Sequence, residues 1–368
     1  MNNTTSASLA LPQTDVMHPP LTRSDRKVSN SEYAELKQLI KERGLLDRQP
    51  VYYTFRIGLL FCLLALGGIF LLVVPVFWLQ LLNAVYLAFV FTQLGLLSHE
   101  AGHRQMFHHP WKHDVVSLMG GTLILGVSYA YWLDRHNTHH SHPNQVDMDP
   151  DIEMPWLDFT GTEDLEPMGK FRQFLVKHQA FIFLPALMLV SVGLQFNSVN
   201  FLLRKKARYY AIECFLLVAH FVLYFALVCS RLPFWQAVLF VCLHQTLTGL
   251  YLGAIFAPNH KGMPVIENES TMDFLHRQVL TARNIHAHPL TDFCYGGLNY
   301  QIEHHLFPSM PRNKLKVAQL IVKTFCQEHA IPYHETTVLQ SFKEIFQHLH
   351  YVGAPLRMKP GRGQAIAP

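Results

Sequence analysis

Six stretches of this chain contain no Asp, Glu, Lys or Arg: residues 57–80, 81–98, 115–133, 181–203, 214–230 and 232–259. A helix that crosses a bilayer needs about 20 apolar residues, and only helices and closed barrels satisfy their backbone groups in lipid. The runs therefore make lipid the solvent for much of the fold, and the chain reads as an all-α integral membrane protein. Only 15% of its 368 residues are charged, against about a quarter in soluble domains. Residues 1–30 are polar and carry no apolar run behind a charged start, so they read as a disordered tail rather than a signal peptide. A basic helical stretch follows at 31–48, with Lys37, Lys41, Arg43 and Arg48. The membrane domain is expected over 31–353, with a flexible tail over 354–368. A net charge of only +4, with no phosphate-binding fingerprint, argues against nucleic-acid partners. The six cysteines show no CxxC spacing and read as free thiols.

Histidine is the anomaly. There are 23, and nine fall between His99 and His142. HEAGH places His99 and His103 one helical turn apart on one face. Alone it is also an H-E-x-x-H zinc-protease signature, in which Glu100 would be the base. HNTHH places His136, His139 and His140 at i, i+3 and i+4, and QIEHH repeats the pattern with Gln301, His304 and His305. A protease zinc takes three protein ligands and keeps one position open. Seven motif histidines exceed that and favour two metals. All-imidazole donors suit iron, copper or zinc rather than magnesium or calcium. An intramembrane zinc protease and a histidine-rich metal transporter stand as rival readings at this point.

The three motifs must lie on one side of the membrane to share a site. If 115–133 crossed, HEAGH and HNTHH would face opposite compartments. That run, with Gly120, Gly121 and Gly126, is expected to lie in the interface or to dip and return. Arg204, Lys205, Lys206 and Arg208 follow 181–203, and positive residues stay cytoplasmic, so that run should not cross either. Four spans remain, in two hairpins, with outer turns near 75–80 and 230–233.

HEAGH, HNTHH and QIEHH, in this order and between hydrophobic runs, resemble the three histidine boxes of membrane fatty acid desaturases. Residues 299–312, NYQIEHHLFPSMPR, are similar to the third box of bacterial acyl-lipid and acyl-CoA desaturases and of front-end desaturases. The resemblance extends from about residue 48 to residue 353. It implies four transmembrane helices in two hairpins, with interfacial helices, under a cytoplasmic, histidine-rich di-iron cap. The implied iron ligands are His99, His103, His136, His139, His140, His304 and His305, joined by His260 just after the fourth span, with Asn259 as its polar support. Gln301 departs from the plain HxxHH form, and as an amide it binds through water or shapes the site. The implied reaction is O2-dependent insertion of a cis double bond into the acyl chain of a lipid or acyl-CoA. A related di-iron lipid hydroxylase is the alternative. No haem-binding HPGG motif occurs, so the electron donor is expected to be a separate protein, a ferredoxin or a cytochrome with its reductase.

Other polar residues carry two readings each. His244, Gln245 and Thr248 lie deep in an apolar run, where they line an acyl tunnel or make structural hydrogen bonds; His220 is similarly placed. His108, His109, His113 and His142 lie off the motif spacing and read as solvated or supporting groups. Asp147, Asp149 and Asp151 follow the second motif, and carboxylates commonly orient ligating histidines through the far ring nitrogen; a turn or cap is the alternative. Glu100 and Glu303, beside motif histidines, are candidates for the same orienting work.

Overall fold

The computed structural model describes residues 23–161, 168–267, 270 and 272–357. Most of the two expected tails lies outside these residues, but helix α1 (Arg23–Glu42) begins inside the stretch read as tail. Four long apolar helices follow from the uncharged runs: α2 (Pro50–Val73), α3 (Phe77–Gly102), α9 (Tyr210–Cys229) and α10 (Phe234–His260). They are long and apolar enough to cross a membrane and fit a multi-pass membrane protein. The chain breaks between α2 and α3 at 74–76, at the start of the turn expected near 75–80. No charge marks the boundary; Pro75 does, by lacking an N–H and pushing Val74 out of helical backbone.

Contacts fix how these helices run. Gln80 Nε2 donates to Val74 O, Asn83 Nδ2 to Gly67 O and Tyr86 Oη to Leu63 O. Partners fall in number as donors rise, so α2 and α3 are antiparallel. Helices α3 and α10 run parallel: Gln93 donates to Tyr251 Oη, 158 residues on, and Phe77 packs on Trp235 at the same separation. Their C-terminal ends therefore lie side by side. Within their most apolar windows 61% of α3 is buried but only 17% of α2 and 22% of α9, so α2 and α9 present apolar side chains outward. Phe55, Leu66, Phe215 and Val222 are exposed there, as lipid-facing residues would be.

The two remaining apolar runs are bent. Helix α4 (Pro110–Ser117) continues into a π-helix (Leu118–Leu125), which turns through 107° into α5 (Tyr129–Ser141). Gly126 makes the corner at φ 74°, a conformation that favours glycine. After α6 (Lys170–Lys177), α7 (Gln179–Leu187) meets α8 (Val190–Arg204) at 73°. That second corner rests on α10 at Gly249, where a Cβ would lie 2.6 Å from Met188 O.

The remaining elements gather at the shared end of α3 and α10. They are α11 (Phe274–Leu280), α12 (Pro289–Cys294), α13 (Gln301–Leu306), α14 (Arg312–Glu328) and α15 (Val338–Val352), with a two-residue parallel pair, β1 (Asn284–Ile285) and β2 (Glu335–Thr336). One hydrophobic cluster joins α1, α11, α13 and α14 through Leu36, Ile40, Leu275, Ile302, Leu306, Leu315 and Val322. All six cysteines are free.

Candidate metal centre

Four helices bring the histidine side chains together. His99 lies in the last turn of α3, and His103 is the residue that caps its C-terminal end. The parallel register of α10 brings His260, its last residue, to the same level. Helix α5 carries His136, His139 and His140, and buried α13 carries Gln301, His304 and His305.

The imidazoles divide into two groups. In the first, one ring nitrogen from each of His99, His103, His136, His140 and His304 lies within 4.8 Å of every other. His103 Nε2 is 2.8 Å from His136 Nε2, which is 3.0 Å from His140 Nε2. In the second group, His260 Nε2 lies 3.3 Å from His139 Nε2 and 3.0 Å from His305 Nε2. Here the protons are assigned by the far side of each ring. His139 Nδ1 is 3.0 Å from both oxygens of Asp149, His260 Nδ1 is 2.9 Å from Thr281 O, and His305 Nδ1 is 2.8 Å from Gln278 Oε1. Each Nδ1 must donate, so each ring in its neutral form turns an Nε2 lone pair toward the other two. Converging acceptors repel, and a cation between them removes the conflict.

The electrostatics agree. Burial, followed by neighbouring imidazoles, holds His136, His140, His304 and His305 well below the ordinary histidine range and His103 down at about 3. These rings are neutral at pH 7, the form that binds metal. His139 is the exception: burial opposes its protonation, but Asp149 and Asp151 outweigh it and raise its pKa. Buried His140 Nδ1 and His304 Nε2 have no hydrogen-bond partner among the described residues. Trp132 stacks on His136 at 4.4 Å and meets His99 edge-on, screening this flank from water.

The carboxylates sort differently from expectation. Asp149 is fully buried and grips His139. Asp151 stands 3.6 Å from His139 and bridges it to Arg135 at 2.8 Å. Asp147 is exposed at φ 61° and makes no hydrogen bond or ion pair with a histidine among the described residues. The turn at 144–149 wraps the Asp149 carboxylate and points Asp147 out. Neither Glu100 nor Glu303 orients a histidine. Glu100 pairs with buried Arg312 at 3.2 Å. Glu303 accepts from Asn284 Nδ2 and Tyr333 Oη, and burial raises its pKa to about 7.

Asn259 Nδ2 donates to Gln301 Oε1 at 2.9 Å, and Gln301 Nε2 lies 2.9 Å from His260 Nε2. Turning both amides over preserves their bond and presents Gln301 Oε1 to the second group. His244, Gln245 and Thr248 make structural bonds instead of facing the histidine groups. His244 Nδ1 pairs with Tyr224 Oη, Gln245 Oε1 accepts from Ser191, and Thr248 returns to His244 O. His220 Nδ1 bonds Leu123 O at the π-helix. His113 Nε2 accepts the N–H groups of Met106 and Phe107, shaping the loop after the first motif. Gln278, which also donates to His140 O, and Asn144, which donates to His260 O, were not legible in the sequence. Neither sits at a fixed spacing from a motif.

Residues 76–337 match the profile of the family described as fatty acid desaturase. An acyl-lipid (9-3)-desaturase of Physcomitrium patens is 29% identical over 85% of this chain and 62% of its own length. A Delta(6)-fatty-acid desaturase of Caenorhabditis elegans is 29% identical over 82% of this chain and 70% of its own. A Delta(8)-fatty-acid desaturase of Euglena gracilis is 29% identical over 92% of this chain and 82% of its own. The chain thus spans less than two thirds of the moss relative.

Proposed function

The chain belongs to the fatty acid desaturase family, and from that premise we propose that it is an O2-dependent desaturase placing a cis double bond in the acyl chain of a lipid or acyl-CoA. The observation that carries the reading is the meeting of eight neutral-capable imidazoles in two groups, three of them with their protons committed outward. Two irons fit this donor set. His99, His103, His136, His140 and His304 would hold one, and His139, His260 and His305, with Gln301 facing them, the other. An unactivated methylene has no acidic proton, so acid–base groups alone cannot remove its hydrogen; bound iron with O2 and two electrons supplies the oxidising power.

The protein's part is to hold the lone pairs in place and keep water away. Asp149, Thr281 and Gln278 fix ring orientation through the far nitrogens. Burial of Gln301, His304 and His305 keeps the site dry. Glu100 is buried and its Oε1 is engaged by Arg312, which disfavours the role of base that an H-E-x-x-H protease requires.

In this reading α2 with α3 and α9 with α10 form the two membrane hairpins, and 31–353 is one desaturase domain. The bent pairs lie at the interface, and the histidine-bearing end faces the cytoplasm. The cluster Arg204, Lys205, Lys206 and Arg208 between α8 and α9 supports that orientation. A separate ferredoxin or cytochrome, with its reductase, would deliver electrons at this face.

Expression in a host, with mass spectrometry of its fatty acids, tests the proposal. The expected product is lighter than its parent by about 2 Da and carries a cis double bond. A product heavier by about 16 Da would make the enzyme a hydroxylase. An unchanged lipid profile from folded, iron-loaded protein with a working donor would overturn the reading.

A further inference from the structure

Helix α9 crosses the apolar zone with one acid on it, Glu213, and that side chain is fully buried. Ionisable residues inside a membrane domain are costly and mark function or a specific partner. The partner of Glu213 is neither a lysine nor an arginine. Its Oε2 accepts the Ser128 hydroxyl at 2.5 Å and the Ala130 N–H at 3.2 Å. Ser128 is the N-cap of α5, and its Oγ accepts the N–H of Tyr131 at 3.1 Å. Glu213 thus closes on the free N–H end of the helix that carries His136, His139 and His140. That end has the positive pole of the helix dipole and unsatisfied donors, and a carboxylate answers both.

We propose that Glu213 is a positioning residue for the second histidine motif: from the lipid-facing span it fixes the start of α5, and so the places of His136, His139 and His140. The inference rests on the two-metal reading of the site. The lever is short. His136 lies two turns beyond Ser128 on a helix of 13 residues, and it approaches His103 from α3 at 2.8 Å. A tilt at the cap therefore moves donors that must meet others fixed on different helices. The corner before α5 is packed through Leu125 and Val127, but its other bonds, such as Gln195 Nε2 to Leu125 O and Tyr129 N–H to Thr122 Oγ1, do not involve the capping hydroxyl. The corner enters from a π-helix and turns at Gly126, whose φ is 74°. Beyond Glu213, it is held by single bonds, including Ser128 N–H to Ser198 Oγ at 3.0 Å. On the other flank Tyr129 Oη donates to Asp114, which also pairs with Arg104 beside His103. The α5 start is thus clamped between α9 and the loop after the first motif.

The test is titration of the metal-stripped, detergent-solubilised full chain with Co2+ alone, read by its ligand-field absorption. Glu213→Gln and Ser128→Ala are each expected to weaken Co2+ binding about tenfold and alter the spectrum, as loss of an orienting contact does at metal sites. The double variant is expected to lose less than the sum of the two single losses, because both remove the Ser128–Glu213 bond while Ala130 N–H and Tyr131 N–H each belong to one of them. Tyr224→Phe, which removes a bond of the same helix to His244 with no tie to α5, is expected to bind as the parent does. Native affinity and spectrum in folded Ser128→Ala would overturn the inference even if Glu213→Gln fails to fold. Equal weakening by Tyr224→Phe would overturn it by showing a general loss of packing. If the parent itself takes up no Co2+, the two-metal reading fails, and the inference with it.

Discussion

Replacing Asp149 should loosen the metal site without touching a ligand. Its carboxylate lies 3.0 Å from His139 Nδ1 through both oxygens and also accepts the N–H groups of Asn144 at 2.8 Å and Asp151 at 2.9 Å. Asp149→Ala strands three donors, two of them buried. At about 1–3 kcal/mol for each buried donor, the cost is on the order of 2–6 kcal/mol, a large share of the stability of about 5–15 kcal/mol typical of a domain. That variant should lose the 144–151 turn altogether. Asp149→Asn keeps the shape and one acceptor but turns an amide N–H toward other donors and removes the negative charge behind His139. Losing such a partner typically weakens metal binding about 10- to 100-fold, and each factor of ten is about 1.4 kcal/mol. Co2+ titration of solubilised protein, with thermal unfolding in parallel, measures both effects. Asp147→Asn is the internal comparison. The residue is exposed at φ 61°, a conformation asparagine tolerates, so it should bind metal as the parent does. Native affinity in Asp149→Asn, or an equal loss in Asp147→Asn, would refute the assignment of the orienting carboxylate.

Gln278→Leu removes the acceptor of His305 Nδ1 and the donor to His140 O. It should weaken metal binding about tenfold with little change in secondary structure by circular dichroism. Gln301→Ala should lower iron content toward one atom per chain, by emptying the group of His139, His260 and His305 first; metal analysis after dialysis reads this. Gly249→Ala should lower the unfolding temperature in detergent, because its Cβ would meet Met188 O at 2.6 Å; overpacking of this kind costs about 1–3 kcal/mol. Native stability in that variant would show that the α7–α8 corner yields freely.

Much of this arrangement was legible because it is local. The i, i+3, i+4 spacing puts His136, His139 and His140 on one face before any tertiary contact is known, and the uncharged runs mark the long helices. His260 came from resemblance alone, since nothing in its immediate sequence separates it from other histidines after apolar runs. The parallel register of α3 and α10 gives the physical reason for its place. Choosing among Asp147, Asp149 and Asp151 was beyond the sequence, because a turn with a left-handed residue decides which carboxylate points inward. Gln278, Thr281 and Asn144 reach the histidines only through the folded cap. Glu100 and Glu303 look like orienting groups by adjacency, yet Arg312, Asn284 and Tyr333, distant in the chain, claim their carboxylates. The turn expected near 75–80 falls at 74–76, where Pro75 ends the helix.

Elemental analysis of purified full-length protein tests the central claim most directly. Two groups of histidines, five and three, predict about two metal ions per chain, and the proposed oxidation, which redox-inert zinc does not support, makes them iron. One zinc per chain, surviving replacement of His139, would contradict the account and return HEAGH to its reading as a protease motif.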